Sequence, residues 1–96
     1  MKMLLLIYDA VFEEEVMEAL ENGERLAYTQ WRRVLGRGER AAPRLDDGVW
    51  PGFNNALMIA VEDDRAAELT ARLRGLRESG EVAGLSLYTL PVEQLI

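Results

Sequence analysis

The side chains best suited to binding chemistry lie in one stretch, residues 36–52 (GRGERAAPRLDDGVWPG). Forked N–H donors that suit phosphate or carboxylate groups come from three arginines in it, Arg37, Arg40 and Arg44. Hard oxygen ligands for a divalent cation come from three acids, Glu39, Asp46 and Asp47. A solvated loop whose charges balance one another is the plain alternative. The stretch therefore predicts an anion site, an oxygen-rich cation site or a solvated loop.

The end of this stretch carries two aromatic residues around a turn. Pro51 fixes its own φ and Gly52 permits a turn, so Trp50 and Phe53 can anchor the returning chain to the body or to a neighbour. Stacking on a ligand is the second interpretation of this pair. Residues 54–55 (NN) follow, and we expect their side chains to form Asx turns rather than to face a subunit cleft.

Catalytic groups are scarce in this chain. Cysteine and histidine are both absent, which removes thiolate nucleophiles, imidazole bases and the usual zinc sites. The run of Glu13, Glu14 and Glu15 is typical of solvated helix charge, and the glycines of residues 36–38 (GRG) lack the rest of a phosphate-binding motif. We therefore expect a protein that is not an enzyme.

Length, charge and hydropathy argue against further classes of protein. A chain of 96 residues forms a single domain, residues 1–96, near the lower limit for a self-sufficient core. The net charge of −6 argues against nucleic-acid binding. The apolar start is followed at once by Asp9, and no run approaches the ~20 apolar residues of a membrane span. We expect a cytoplasmic protein without membrane insertion.

Hydrophobic patterning predicts four strands and two helices. Apolar runs at residues 3–8, 56–61 and 85–90 indicate strands, and a β-branched and aromatic mixture at residues 26–35 indicates another. One amphipathic helix follows Asp9 and ends at residues 22–23 (NG), and the second is capped by residues 63–64 (DD) and ends at residues 79–80 (SG). The order βαββαβ predicts an α+β, ferredoxin-like sandwich.

The strands at residues 3–8 and 56–61 are apolar on both faces. In a ferredoxin-like sandwich two helices cover one face of the sheet and leave the other bare. An apolar bare face is best covered by further copies of the same chain. The patterning therefore predicts a homo-oligomer.

Three segments resemble the PII signal proteins of nitrogen regulation, in a PII-like branch. The start, residues 1–20 (MKMLLLIYDAVFEEEVMEAL), is similar to the family's first strand and helix. Residues 34–39 (VLGRGE) resemble the entry to its T-loop, and residues 90–96 (LPVEQLI) resemble its P-V-E-E-x-I segment. The resemblance implies a homotrimer with ligands in the clefts between subunits, and makes residues 36–52 a short T-loop.

The resemblance also implies where a ligand binds. The T-loop places candidate ligand-binding residues at Gly36, Arg37, Gly38, Arg40 and Arg44. The family's nucleotide turn, T-G-x-x-G-D-G-K, corresponds to residues 79–86 (SGEVAGLS), which adds Gly80 and Gly84 but lacks the acid and the lysine. The loop also has no tyrosine for nucleotidylation. We therefore expect ATP and ADP to bind weakly or not at all, and a divalent cation could be held only by Glu39, Asp46 and Asp47.

The expected function is a signal-transduction role without catalysis. The trimer would sense a small ligand in the intersubunit cleft and present residues 36–52 to a partner, such as a membrane transporter or an enzyme. One alternative is a small ferredoxin-like enzyme that acts on an anionic metabolite held by Arg37, Arg40 and Arg44. The other is a divalent-cation tolerance trimer, which requires three clustered carboxylates in each cleft.

Overall fold

The computed structural model describes residues 1–39 and 42–96, and the elements follow the predicted order. A 3-10 turn, Ala10–Phe12, precedes the first α-helix. The strands are β1 (Lys2–Asp9), β2 (Thr29–Val34), β3 (Asn54–Val61) and β4 (Ser86–Pro91), and the helices are α1 (Glu13–Glu21) and α2 (Asp63–Glu78).

The four strands form one antiparallel sheet in the order β2-β3-β1-β4. This order, with the connection βαββαβ, is that of the ferredoxin-like sandwich. The predicted fold class is therefore confirmed. No helix within the described residues is long and apolar enough to cross a membrane.

The core lies between the sheet and the two helices. In the sheet, Leu4 pairs with Ile59 and Leu6 with Leu57, and all four side chains are fully buried. Each helix adds one apolar stripe to the core. The spacing of the apolar residues in these stripes is that expected of amphipathic helices packed on a sheet. The buried residues of these stripes are Val16 and Leu20 of α1 and Ala66, Leu69 and Leu73 of α2.

The helix ends follow local chemistry. Asn22 takes the left-handed conformation at φ 41°, and Gly23 follows at φ 83°, so the predicted stop of α1 is confirmed. The cap predicted for α2 is wrong, because Glu62 precedes the helix and residues 63–64 lie in its first turn. There the two carboxylates favour the helix through its dipole.

The second strand is shorter than the predicted residues 26–35. Its pairing with β3 shifts register between Trp31 and Val34, and Arg33 has a left-handed φ of 60° there. Such a bulge bends the strand and redirects its side chains. Leu26 is buried in the core but lies before the strand.

The face of the sheet opposite the helices is apolar. Met3 and Leu5 of β1 lie beside Leu90 and Tyr88 of β4 on this face, and Trp31 lies on the same side of β2. In the single chain 56% of Tyr88 and 49% of Trp31 are exposed. The predicted two-sided apolar character of the strands is thus present, and the homotrimer stays a prediction.

Candidate functional site

The loop between β2 and β3 is closed at its neck by backbone hydrogen bonds. Gly36 and Arg44 form an antiparallel bridge, with N···O distances of 2.9 and 2.7 Å. A second bond, 2.9 Å from the Asp46 amide to the Gly52 carbonyl, closes the following turn. The predicted loop at residues 36–52 therefore begins with a hairpin whose ends, residues 36 and 44, are bonded to each other, and continues with a turn closed between residues 46 and 52.

A cavity of about 290 Å³ lies where this neck meets the uncovered sheet face and the turn before β4. It is open on one side to solvent. Its wall combines the end of β2, the loop neck, the end of β1 and the start of β4. The side chains and backbone that line it include Ile7, Asp9, Gly36, Arg37, Gly38, Arg44, Asn54, Gly84, Ser86 and Tyr88.

The cavity brings together five of the seven residues predicted to bind a ligand. Gly36, Arg37, Gly38 and Arg44 come from the loop, and Gly84 comes from the turn before β4. Gly80, at the end of α2, is not among the lining residues. Arg40 lies outside the described residues. The ligand-binding role of this set stays a prediction.

The two described arginines of the cavity are in different electrostatic states. Arg44 Nε donates to Asp9 Oδ2 at 2.9 Å, and Arg44 Nη1 donates to the carbonyl oxygens of Ala42 and Pro43 at 3.3 and 3.4 Å. Arg37 forms no ion pair with any residue that the structure describes. Arg37 is thus the cation that the cavity offers to an anion, whereas Asp9 already neutralises Arg44.

Phe53 and Trp50 differ in how they hold the loop. Phe53 is half-buried, its carbonyl accepts the Ala10 amide at 3.0 Å, and the Arg33 guanidinium lies 5.3 Å from its ring centroid. The Trp50 amide donates a hydrogen bond to Asp47 Oδ1 at 2.6 Å, which holds the backbone there. The residue itself is nevertheless 41% exposed. Phe53 is therefore placed to anchor the loop, whereas Trp50 is exposed in the single chain and its anchoring role stays a prediction.

The acids of the loop serve the loop itself. Asp46 pairs with Arg33, and Asp47 accepts the amides of Val49 and Trp50 in an Asx turn. Among residues 1–39 and 42–96 no three acidic side chains are grouped to hold a metal ion. The predicted grouping of Glu39, Asp46 and Asp47 is therefore not formed in the described chain.

A polar cluster beside the core was not predicted. The Glu13 carboxylate accepts hydrogen bonds from the Tyr8 hydroxyl, from Gln30 Nε2 at 2.8 Å and from Asn55 Nδ2 at 3.0 Å. Asn55 is 4% exposed, and its Oδ1 also accepts the Arg33 amide at 3.4 Å. The interpretation of Glu13 as solvated charge and that of Asn55 as an Asx-turn residue are both wrong.

These hydrogen bonds decide the ionisation of the cluster. Burial by itself would raise the pKa of Glu13, but the bonds from Tyr8, Gln30 and Asn55 outweigh it and lower that pKa below its ordinary value. Burial, followed by the bond to the Glu13 carboxylate, raises the pKa of Tyr8. Glu13 is therefore a carboxylate and Tyr8 a neutral phenol at pH 7.

Comparison of the sequence with protein-family models gives no match, and comparison with curated proteins gives none either. Among solved structures, a protein described as a PII-like signalling protein from Thermus thermophilus superposes with a TM-score of 0.64. It is 20% identical to the chain, and the match covers 93% of this chain and 83% of that one.

Two structures of CPII, a nitrogen regulatory PII-like protein from Thiomonas intermedia, superpose with a TM-score of 0.69. Each is 15% identical, and the match covers 97% of this chain and 88% of CPII. The chain has the fold of the PII-like signalling proteins. The resemblance seen in the sequence is thus confirmed for the fold. One CPII structure contains ADP and bicarbonate, and the other contains ADP, AMP and bicarbonate.

Proposed function

We propose that the protein is a PII-like regulator without catalytic activity, which binds a small ligand in the cavity at the loop neck. The observation that carries this proposal is the position of the cavity. It joins residues 36–38 and Arg44 of the loop to Gly84 of the turn before β4. A ligand there would contact the hairpin directly, so its binding would change the conformation of the loop that is presented to a partner.

The chemistry of the cavity supports a small anion. Arg37 is free of ion pairs within the described chain, and its guanidinium can donate two parallel hydrogen bonds to a carboxylate or similar group. Gly36 and Gly38 flank it without side chains, which leaves room for a ligand beside the backbone. The volume of about 290 Å³ suits a small molecule.

The uncovered sheet face supports a homotrimer. Tyr88 and Leu90 are exposed in the single chain, although they continue the apolar surface of Met3 and Leu5. The cavity opens next to this face, since Ile7 and Tyr88 belong to both. A neighbouring copy on this face would complete the cavity wall, which is the arrangement that an intersubunit ligand site requires.

We propose that the hairpin at the loop neck is the surface that contacts a partner, such as a membrane transporter or an enzyme. Two backbone bonds and the Arg44–Asp9 pair fix the base of the hairpin. A ligand that contacts Arg37 acts one residue from that base. Ligand occupancy would therefore alter the hairpin while leaving the sheet unchanged.

The proposal is tested by calorimetric titration of the protein with bicarbonate, AMP, ADP and ATP, alongside its mass in solution. We expect saturable binding of one small anion, loss of that binding in Arg37→Ala, and a mass three times the 10.9 kDa of the chain. Arg74→Ala is the matched control, because Arg74 lies on α2 outside the cavity. Binding that survives Arg37→Ala, or a monomeric mass at micromolar concentration, would contradict the proposal.

A further inference from the structure

One carboxylate lies in the cavity together with the two described arginines. Asp9 ends β1, its Oδ2 accepts the Arg44 Nε proton at 2.9 Å, and both side chains line the cavity with Arg37. The described lining therefore carries two positive charges and one negative charge. This composition is unusual for a site that holds a polyphosphate, where donors and cations surround the ligand.

The position of Asp9 is fixed from several sides. Its Oδ1 accepts the Val11 amide at 3.1 Å and so caps the 3-10 turn, and its backbone pairs with Asn54 of β3. Arg44 is equally fixed, because its backbone is bonded to Gly36 in both directions. The pair therefore joins the end of β1 to the neck of the loop, and an anion that approaches Arg44 meets the Asp9 carboxylate already bound there.

We propose that Asp9 is the residue that sets the charge selectivity of the cavity: it occupies Arg44 as an internal anion, so that the cavity accepts a small singly charged anion at Arg37 and rejects polyphosphates. This inference rests on the proposed ligand-binding function. A single negative charge is matched by Arg37. Each further charge must either remain unpaired beside Asp9 or displace it from Arg44, and both outcomes oppose binding.

The experiment compares adenosine, AMP, ADP and ATP as probes of one shape and increasing charge, and acetate as a singly charged probe. Calorimetric titrations would be made on the full chain and on the Asp9→Asn variant. Asparagine keeps the cap for the Val11 amide while it removes the charge. In Asp9→Asn we expect the affinity for ADP to rise at least tenfold, because one unit charge roughly 6 Å away near a protein surface is worth about a hundredfold before screening by salt. The change for acetate should be smaller.

Asp46→Asn is the matched control, because it makes the same change in another aspartate that pairs with an arginine. Asp46 pairs with Arg33 and does not line the cavity, so its variant should bind ADP as the unaltered chain does. Equal ADP affinity in Asp9→Asn and the unaltered chain, or an equal rise in Asp46→Asn, would overturn the role of Asp9.

The titrations distinguish a failure of the proposed ligand-binding function from a failure of the inference about Asp9. If no probe of the earlier panel binds in a manner that depends on Arg37, the ligand-binding function is refuted. If acetate or bicarbonate binds through Arg37 but ADP gains nothing in Asp9→Asn, the function stands and the inference about Asp9 is refuted. Circular dichroism of each variant would confirm that the comparison is made between folded proteins.

Discussion

Replacing Glu13 with alanine removes the acceptor on which the polar cluster is built. Three donors would lose it: the Tyr8 hydroxyl, Gln30 Nε2 and Asn55 Nδ2. A buried polar group left without a partner costs ~1–3 kcal/mol. Gln30 and Tyr8 can still bond to each other, since Gln30 Nε2 already lies 3.2 Å from the Tyr8 oxygen. Asn55 has no such substitute, so we expect a total loss of ~2–4 kcal/mol rather than three full penalties.

Urea denaturation at pH 7, followed by circular dichroism, measures this change in the free energy of unfolding. A loss of ~2–4 kcal/mol is large against the ~5–14 kcal/mol expected for a domain of this length. Glu14→Ala is the matched control, because Glu14 is the neighbouring acid in the same helical turn, makes no bond to the cluster and should change stability by less than ~0.5 kcal/mol. If both variants lose the same small amount, the cluster does not stabilise the fold as its hydrogen bonds indicate.

Three further outcomes are expected. Because the folded pKa of Glu13 lies below its ordinary value of 4.5, the stability it contributes is present above that pH and is lost as the pH falls through the folded value. The stability difference between the unaltered chain and Glu13→Gln should therefore shrink on acidification below about pH 4.5, and a constant difference in urea titrations would refute this. Gly52→Ala should destabilise the fold by ~1–2 kcal/mol, because Gly52 has a φ of 88° and its added Cβ would lie 3.4 Å from Arg44 Cδ; a neutral effect on the melting transition would disprove the conformational requirement. Trp50→Ala should cost less than ~1 kcal/mol, since Trp50 is substantially exposed, and a loss near the ~3–5 kcal/mol of a buried aromatic would show that its side chain is covered in solution.

The fold could be predicted because its signals are local. The short apolar runs of β1 and β3 favour buried strands over buried helices, and residues 22–23 and 79–80 place both helix ends. The left-handed conformation of Asn22 is one that asparagine tolerates, so the residue type indicates the turn. The two-sided apolar character of β1 likewise follows from residue type alone.

The polar cluster could not be predicted in the same way, because its members come from four separate elements. Tyr8 and Asn55 are direct partners across β1 and β3, and this register is set by the whole sheet rather than by either strand. A polar side chain on the buried face of each strand was the sequence signal for this cluster. The alternation Leu4, Leu6, Tyr8 places Tyr8 on the buried face of β1, but nothing comparable marks Asn55 in β3. Glu13 itself looks like its neighbours Glu14 and Glu15 in sequence.

The candidate cavity was predicted in part. The resemblance to PII proteins brought residues 36–38 and Gly84 together, and the arginine pattern added Arg44. Neither the resemblance nor the arginine pattern identified Asp9 as a cavity residue. Asp9 serves both as the cap of a 3-10 turn and as the partner of Arg44. The resemblance and the arginine pattern also missed Arg33, whose left-handed backbone at the bulge directs its side chain to Asp46 and Phe53. Such long-range pairs depend on loop geometry that residue spacing does not encode.

A two-dimensional amide NMR titration with bicarbonate tests the proposed binding of a small anion at the loop neck through Arg37, because each backbone amide reports on its own surroundings. We expect saturable shifts concentrated at residues 36–38, 44 and 83–86, and their disappearance in Arg37→Ala. Shifts that lie elsewhere, for example along α2, or a spectrum unchanged by bicarbonate, acetate and ADP alike, would contradict it.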